Sequence, residues 1–386
     1  MAEPRAYLDY NATAPLRPAA RAATLLAMEA LGNPSSIHAE GRAARTLLEE
    51  ARARLAAGIG AKPENIVFTS SATEAANLAL TPEFNVGGET RPCEALLVAG
   101  GEHPCVLKGS RFPTQAIHML TLEPEGTLSL EALARALQEQ AGKRVMVALQ
   151  AANQETGVLQ PVKEAAELVH KAGGVLVCDA TQGMGHLEAT FGTLNADVLF
   201  FSSHKLGGPA GAGALAFARE ESYIGKALLR GGGQESGRRA GTENVAAAVG
   251  FAAAFDEVRR SLGRETARLS GLRDEIERLV AQVLPQVRFL GRGSERLPNT
   301  TSWVADGFEA RTLAMALDLE GVAVSPGAAC SSGKTSASTV LAAMGLRDTA
   351  SVRASLGWRS GPKDVELFGI ALARVVSRMR SRRPAA

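Results

Sequence analysis

The chain has 386 residues, of which 46% are hydrophobic and 21% charged, with 42 basic and 40 acidic side chains. This length exceeds the roughly 100 to 200 residues of one typical domain, so we expect a large domain together with a smaller one. A formal charge of only +2 lacks the basic excess of nucleic-acid-binding proteins, and we therefore expect no direct nucleic-acid partner.

The N-terminus, residues 1–9, has neither the charged start nor the apolar run of a signal peptide. The most apolar stretch, residues 245–255, is shorter than the ~20 residues that a membrane span needs and is predicted to be a buried helix. We expect a cytoplasmic protein with no membrane partner. Four cysteines without a CxxC spacing favour a reducing compartment over a disulfide framework or a structural zinc site.

Short β-rich runs alternate with helical patterns in the first two thirds of the chain. The predicted strands are residues 66–69, 95–99, 145–149, 175–178, 198–201 and 214–217, with helices that include 129–140 and 162–171. This alternation is typical of an α/β fold with a mainly parallel sheet covered on both faces. From residue 254 onward the pattern changes to a long charged helix, 256–283, followed by short strands and a final helix, which predicts a second, smaller domain.

A helix start follows the first predicted strand of this sheet. Ser71 and Glu74 have capping-box spacing there. The free N–H groups and positive dipole end of such a helix can hold a phosphate at Ala72, with the Thr73 hydroxyl as an additional donor. Taken alone, this segment is better explained by ordinary capping than by phosphate binding.

Asp179 ends the buried run 175–178 and therefore lies at the carboxyl edge of the parallel sheet, where ligands of open α/β folds bind. Gln182 follows on the same turn. A carboxylate at this edge can pair with a protonated pyridine nitrogen. Capping of a following helix explains Asp179 equally well.

Lys205 follows the buried run 198–201 in a glycine-rich turn that permits close backbone approach to a ligand. Ser202 and His204 flank it as possible phosphate donors. A partly desolvated lysine loses its proton more easily and can form an imine with an aldehyde. An anion cradle, a ring-pairing carboxylate and an imine-forming lysine, in that order, predict a site for pyridoxal 5'-phosphate.

The sequence also resembles the NifS/IscS-type cysteine desulfurases, which are class V aminotransferase-like, fold type I pyridoxal phosphate enzymes. Matching segments in the first half are residues 7–13, 33–38, 72–74, 102–104, 153–157, 179–182 and 204–205. Those in the second half, which distinguish desulfurases from generic aminotransferases, are residues 232–244, 328–333 and 351–357.

This resemblance implies a large domain with a mainly parallel mixed sheet and a smaller α/β C-terminal domain. We place an N-terminal segment that packs with the small domain at residues 1–15. The large cofactor-binding domain is expected at 16–255, and the small domain, with the Cys330 loop, at 256–386.

The resemblance also assigns roles to single residues. His103 is expected to stack on the cofactor ring and to take part in proton transfer, and Asn153 to contact the hydroxyl side of the ring. Thr242 is expected to reach the phosphate in a partner subunit, which implies a homodimer with shared active sites. Arg353 offers a planar fork of donors to a substrate carboxylate, and Asn33 and Asn153 are further expected substrate contacts.

Among the cysteines, only Cys330 is placed like a nucleophile. Small residues surround it from 327 to 333, so it is expected to be exposed on a mobile loop, with the access that a reactive thiolate needs. Cys178 is predicted to lie in the core, Cys105 to pack at a helix start, and Cys93 carries no signal. An incidental thiol on a flexible loop is the alternative for Cys330, and Lys205 together with an arginine at 353 favours the nucleophile.

The implied reaction converts L-cysteine to L-alanine, with Lys205 as base and Cys330 receiving the sulfur as a persulfide. The loop length favours delivery to a scaffold or carrier protein, first for iron-sulfur cluster assembly and next for tRNA thiolation. No permanent metal is expected, although Cys330 is a candidate transient iron-sulfur ligand with a scaffold partner. Two alternatives stay open: an aminotransferase or selenocysteine lyase, and an assembly protein without turnover.

Several positions depart from the family's usual pattern without removing a predicted catalytic group. They are Tyr10, Ala14, Ser71, Cys105, Gln154 and Thr181. Cys105 stands where a small residue is usual. Lys334 and Thr335 lie in the loop where the acceptor is selected, so the identity of the acceptor stays open.

Overall fold

A computed structural model describes residues 5–327, 338–347 and 349–381. In chain order the strands are β1 (Ala6–Tyr7), β2 (Ile66–Thr69), β3 (Phe84–Asn85), β4 (Ala95–Ala99), β5 (Ile117–Leu120), β6 (Val145–Gln150), β7 (Val175–Asp179), β8 (Val198–Ser202), β9 (Gly213–Phe217), β10 (Tyr223–Ile224), β11 (Arg288–Phe289), β12 (Thr300–Val304), β13 (Val322–Ala323), β14 (Ser325–Pro326) and β15 (Val352–Ser355). The helices are α1 (Pro18–Glu29), α2 (Ala39–Ile59), α3 (Ala72–Ala79), α4 (Pro104–Leu107), α5 (Leu130–Glu139), α6 (Val162–Lys171), α7 (Phe191–Leu194), α8 (Val245–Val283), α9 (Ala310–Leu319), α10 (Thr339–Ala343) and α11 (Pro362–Ser381).

The largest sheet has seven strands in the order β2-β9-β8-β7-β6-β4-β5. Strands β8, β7, β6, β4 and β5 are parallel, and only β9 runs antiparallel to its neighbours β8 and β2. The predicted α/β class with a mainly parallel sheet is confirmed. All six predicted strands form, because sheet strands covered on both faces are continuous apolar runs. The seventh, β5, was missed because it is a half-exposed edge strand with a mixed sequence.

Each face of the large sheet carries its own apolar core, since successive side chains of a strand point to opposite faces. Phe201 packs with Phe251 and Phe255 of α8 on one face. Phe200 packs with Phe84 and Phe217 on the other. Burying side chains of this size stabilises the fold by about 1.5–3 kcal/mol each, so the strands are fixed in register and their carboxyl ends are held in place.

A smaller antiparallel sheet, in the order β11-β12-β15-β14, packs with α9, α11 and the second half of α8. Strand β1 pairs in parallel with β13, so the N-terminal segment joins this second unit. The residues predicted as two helices, 245–255 and 256–283, form the single helix α8. The proposed domain division at residue 256 falls within α8 and stays a prediction.

Throughout the described ranges, every helix is too short or too polar to cross a membrane.

Candidate active site

A cavity of about 600 Å³ lies at the carboxyl edge of the large sheet, with strands β14 and β15 of the smaller sheet contributing to its wall. Ligands of open α/β sheets bind at this edge. The predicted site residues that line the cavity are Ala72, Thr73, His103, Asp179, Gln182, Ser202, His204, Lys205 and Arg353. The structure therefore brings together side chains that were selected separately at three strand ends.

Lys205 lies just after β8, in a 3₁₀ turn that ends at Gly207, whose φ of 81° favours glycine. Its ammonium group donates hydrogen bonds to the backbone carbonyls of Asn11 and Ala12. The Gln182 amide donates to the same Asn11 carbonyl at 3.1 Å. The N-terminal segment thus holds the lysine by backbone carbonyls, and no carboxylate of the described residues forms an ion pair with it.

The pKa of Lys205 is lowered to about 8, chiefly by burial and then by the positive charge of Arg353. The carboxylates of Asp9 and Asp179 act in the opposite direction and are included in this value. An amine with this pKa is neutral in a substantial fraction of molecules at pH 7 to 8 and can attack an aldehyde.

Asp179 is buried at the end of β7, and its Oδ1 accepts a hydrogen bond of 2.8 Å from the backbone N–H of Thr181. Burial raises the pKa of Asp179, while the bonds from Thr181 and the charges of His103 and Lys205 lower it. The residues that follow form turns, and the next helix begins only at Phe191, so Asp179 is not a helix cap. Its carboxyl group is therefore available to a ligand in the cavity.

His103 is the N-cap of α4, and its Nδ1 accepts the backbone N–H of Cys105 at 3.2 Å. In a neutral ring this bond leaves the proton on Nε2. Burial lowers the pKa of His103; the charge of Asp179 raises it and that of Lys205 lowers it. The lowered pKa favours the neutral imidazole, which is the form that accepts a proton.

Glu102 is a fully buried neighbour of this site that was not predicted as a functional residue. Its Oε1 accepts the backbone N–H of Gln150 at 2.7 Å, whereas its Oε2 is buried without a hydrogen-bond partner. Burial raises the pKa of Glu102 well above its usual range, and the negative charge of Asp179 adds to this. Burial thus favours the neutral carboxylic acid form of Glu102.

Replacing Glu102 with Gln is expected to flatten the pH dependence of stability. In the unfolded chain this glutamate ionises near pH 4.3, whereas burial raises its pKa in the folded protein, where it keeps its proton to higher pH. Its contribution to the free energy of unfolding therefore falls by about 1.4 kcal/mol per pH unit from there up to its raised folded pKa. Urea unfolding at pH 5, 6 and 7 should show Glu102→Gln gaining on the wild type as pH rises. A constant difference, equal to that of the exposed Glu167→Gln control, would contradict this.

The turn before α3 has the capping that the sequence predicts. The Ser71 hydroxyl accepts the N–H of Glu74 at 3.1 Å, and the Glu74 carboxylate accepts the N–H of Ser70 at 2.7 Å and pairs with Arg239. Strand β9 approaches this turn so closely that a Cβ at Gly213 would lie 2.5 Å from the Ser71 backbone. The capped start of α3 is still accessible to a ligand, because Ala72 and Thr73 line the cavity.

Two further donors face the cavity from the Lys205 turn. Ser202 has only a 3.5 Å contact, to the carbonyl of Ala212, so its hydroxyl can bond to a ligand. The Nδ1 of His204 lies 3.2 Å from the Thr13 hydroxyl. Burial lowers the pKa of His204 to about 4, with a further lowering by the lysine charge. A neutral His204 offers one N–H donor without adding charge.

Arg353 lies on β15 and is buried. One of its terminal nitrogens donates to the Gln154 carbonyl at 2.7 Å, and the other pairs with Asp9 at 2.7 Å. Its Nε is buried, and no described residue accepts a hydrogen bond from it. The guanidinium lies at the cavity wall, and its planar set of donors suits a carboxylate ligand. Asp9, which orients this group, was not predicted as a site residue, although it belongs to the matched segment 7–13.

Four predicted residues are not brought to the cavity by the described part of the chain. Asn33 is exposed, and its side chain caps Ser35; Thr242 is also exposed. Asn153 is buried nearby, but its amide bonds to the Gly101 carbonyl and to the backbone that follows it. Cys330 lies outside the described residues. The roles of these four residues stay predictions.

The sequence matches the model of the family Aminotransferase class-V over residues 6–368. The chain belongs to this family. It is 35% identical to the cysteine desulfurase IscS of Dictyoglomus turgidum, over 98% of this chain and 96% of that protein. The NifS-like protein from Rickettsia africae has a similar structure, with a TM-score of 0.85 and 28% identity over 97% of this chain and 100% of that one. A structure of SspA in complex with cysteine gives a TM-score of 0.75 and 25% identity over 91% and 98%.

These findings confirm three predictions: the resemblance to the NifS/IscS-type cysteine desulfurases, the fold type I class, and a pyridoxal phosphate-dependent enzyme. The cavity also fits the cofactor. Lys205 supplies an amine with a lowered pKa, and Asp179 supplies a buried carboxyl group. Neutral donors for the phosphate come from the start of α3 and from Ser202 and His204.

Proposed function

We propose that this chain is a cysteine desulfurase, which converts L-cysteine to L-alanine and transfers the sulfur to Cys330 as a persulfide and then to an acceptor protein. The observation that carries the proposal is that one cavity is lined both by Lys205, with its lowered pKa, and by the guanidinium of Arg353. An imine-forming amine and a carboxylate clamp in one cavity select an amino acid substrate. The similarity to a protein solved with cysteine supports L-cysteine as that amino acid.

Pyridoxal 5'-phosphate would be held covalently by Lys205, at its ring nitrogen by Asp179, and at its phosphate by Thr73, Ser202 and His204. When bound, it supplies an electron sink for the pair of electrons left at the substrate α-carbon. Thr242 of a second copy would complete the phosphate site, and Asn153 would lie beside the ring.

Each protein group then has its own role in the reaction. Arg353 fixes the substrate through its carboxylate, with Asn33 as a proposed further contact. Lys205 removes the α-proton, for which a pKa of about 8 is suited near neutral pH. The neutral His103 donates or accepts a proton on the cofactor face. The Cys330 thiolate attacks the substrate sulfur; the carbon–sulfur bond breaks, its electron pair is protonated, and alanine leaves.

A homodimer is part of the proposal. Thr242 does not line the cavity of its own chain, and the segment after α1 exposes large apolar side chains, with Leu31 79% and Ile37 90% exposed. Exposed apolar surface of this kind is typical of an interface. We also propose a cytoplasmic location and delivery of the persulfide to a scaffold or carrier protein for iron-sulfur cluster assembly or, second, tRNA thiolation. Cys330 would then be a transient iron-sulfur ligand.

The test is to mix the purified holoenzyme with L-cysteine, alkylate it, map persulfides by mass spectrometry and assay alanine. We expect persulfide on Cys330 together with alanine, and neither in a Cys330→Ala variant, which should keep its bound cofactor. Alanine released equally by the variant, or keto acid formed with no sulfur transfer, would favour an aminotransferase or another lyase. Protein without the yellow imine absorbance would favour an assembly protein without turnover.

A further inference from the structure

Cys105 lines the cavity but has no part in the proposed reaction. It occupies the first turn of α4, and its Sγ lies 3.0 Å from Nδ1 of His103. The backbone N–H of Cys105 also points at Nδ1, at 3.2 Å. Because that N–H already fixes Nδ1 as a hydrogen-bond acceptor, the thiol must be the donor in the sulfur contact. One residue thus gives two hydrogen bonds to the same imidazole nitrogen.

The thiol cannot serve as a nucleophile or sulfur carrier. Cys105 is buried, and this burial raises the pKa of its thiol far above the usual value, with the negative charges of Asp179 and Glu102 adding to the shift. A thiol that keeps its proton has none of the thiolate character that attack requires. The protonated thiol is therefore a donor to the imidazole, at an Sγ–Nδ1 distance of 3.0 Å.

We infer that Cys105 is a positioning residue for His103: its thiol, together with its backbone N–H, keeps Nδ1 unprotonated and leaves the single ring proton on Nε2. Protonation of Nδ1 would break both hydrogen bonds, so both favour the neutral ring. A small residue at 105 would leave only the backbone bond. The inference rests on the proposed function for its consequence in turnover, because His103 acts on the substrate only in that proposal.

The other charged groups that face His103 act in opposite directions. The Asp179 carboxylate, from the end of β7, favours the protonated ring, and the Lys205 ammonium, from the turn after β8, disfavours it. Burial raises the pKa of Glu102, the preceding residue, well above the usual range and so favours its uncharged form. The Thr73 hydroxyl of α3 has no charge. Removing the thiol donor leaves these charged groups in place, so a change in the His103 titration comes from the lost hydrogen bond or from altered packing, which the Ala and Ser variants distinguish.

The experiment is an NMR titration of protein labelled with ¹³C at histidine Cε1, in both apoprotein and holoenzyme. The chain has six histidines, and the His103 signal is assigned by its absence from a His103→Gln variant. Cys105→Ala is expected to raise the pKa of His103 by about half to one pH unit, the size of one net hydrogen bond. Cys105→Ser, which keeps a donor, should stay close to the wild type. Cys93→Ala, at a buried cysteine away from the cavity, is the matched control and should cause no shift.

Turnover gives the second measurement. In Cys105→Ala the acidic limb of the plot of kcat/KM against pH should shift to higher pH by the same amount as the His103 pKa. In Cys93→Ala it should not shift. An unchanged His103 pKa in Cys105→Ala would overturn the inference. Equal shifts in the Ala and Ser variants would also overturn it, since packing alone would then be the cause. The apoprotein titration does not depend on desulfurase activity, so a shift in a protein that transfers no sulfur would refute the proposed function and leave this inference standing.

Discussion

Replacing Lys205 with alanine is expected to abolish covalent attachment of pyridoxal 5'-phosphate and to lower turnover by about 10²–10⁴-fold or more, the usual contribution of one general base. The reason is that, among the described residues, the one other lysine that lines the cavity is Lys108, which lies at the end of α4 and not in the turn after β8. Attachment is measured by the yellow imine absorbance and by mass spectrometry after borohydride reduction. The exposed Lys226, which pairs with Glu83, provides the control variant Lys226→Ala, which should retain both.

The same lysine predicts a pH dependence for cofactor capture. Only the neutral amine attacks an aldehyde, and burial lowers the pKa of Lys205 to about 8. The rate at which apoprotein captures pyridoxal 5'-phosphate should therefore rise with pH up to about 8 and level off above it. An ordinary lysine would give a rate that rises until about pH 10.4.

A capture rate that keeps rising between pH 8 and pH 10 would show that Lys205 is solvated in solution and that the cavity does not lower its pKa. Retention of the imine absorbance in Lys205→Ala would show that a different lysine carries the cofactor. The first result would change the account of how the amine is activated, whereas the second would displace the proposed site.

The sequence predicted those parts of the fold that depend on local pattern. Strands β6, β7 and β8 are buried along their whole length, so their apolar runs were recognisable, and Asp179 and Lys205 could be placed at the sheet edge by counting to the strand ends. Strand β5 was missed because an edge strand does not need an apolar face. Helix α8 was divided in two because its composition changes where it leaves the large sheet, although its backbone does not break.

The site was predictable only as far as its residues follow such elements. Asp9 pairs with Arg353 across 344 positions of sequence, and the carbonyls of Asn11 and Ala12 that hold Lys205 have no side-chain signal at all. These contacts exist because the N-terminal segment packs with the second unit, where β1 pairs with β13 and Asp9 bridges to Ser355 of β15. A strand of two residues is too short to be predicted from the sequence. The roles expected of Asn33 and Thr242 came from resemblance alone, and a single chain does not bring them to the cavity.

The second prediction with a large expected effect concerns a buried ion pair and the stability of the fold. Arg52 of α2 and Glu235 form a buried ion pair with two contacts of 2.7 Å, and their side chains are 8% and 1% exposed. Glu235 also accepts the backbone N–H of Phe68 in β2 at 2.9 Å. Burial alone would lower the pKa of Arg52, but Glu235 and then Glu49 raise it above its usual value. The guanidinium is therefore fully charged in a site with little water.

Replacing Glu235 with alanine is expected to lower the free energy of unfolding by about 3–5 kcal/mol, because it leaves a buried arginine uncompensated and the N–H of Phe68 without its partner. Glu49→Ala is the matched control. Glu49 contacts the same arginine at 2.9 Å, but its side chain is 52% exposed, so its removal should lower stability by less than about 1 kcal/mol. Urea titrations give both values when the free energy of unfolding depends equally steeply on urea concentration in the variants compared.

The double variant Arg52→Leu with Glu235→Ala separates the cost of an unpaired charge from the cost of lost packing. If the uncompensated arginine causes the loss in Glu235→Ala, removing it as well should restore part of the stability, and the two single effects should not add. Glu235 has a strained φ of 49°, and its carboxylate holds the strand that leads into Ser71 and Thr73. The single variant should therefore also release the cofactor at a lower urea concentration than the concentration at which it unfolds. Equal losses in Glu235→Ala and Glu49→Ala would mean that the pair is solvated and contributes no more than a surface contact.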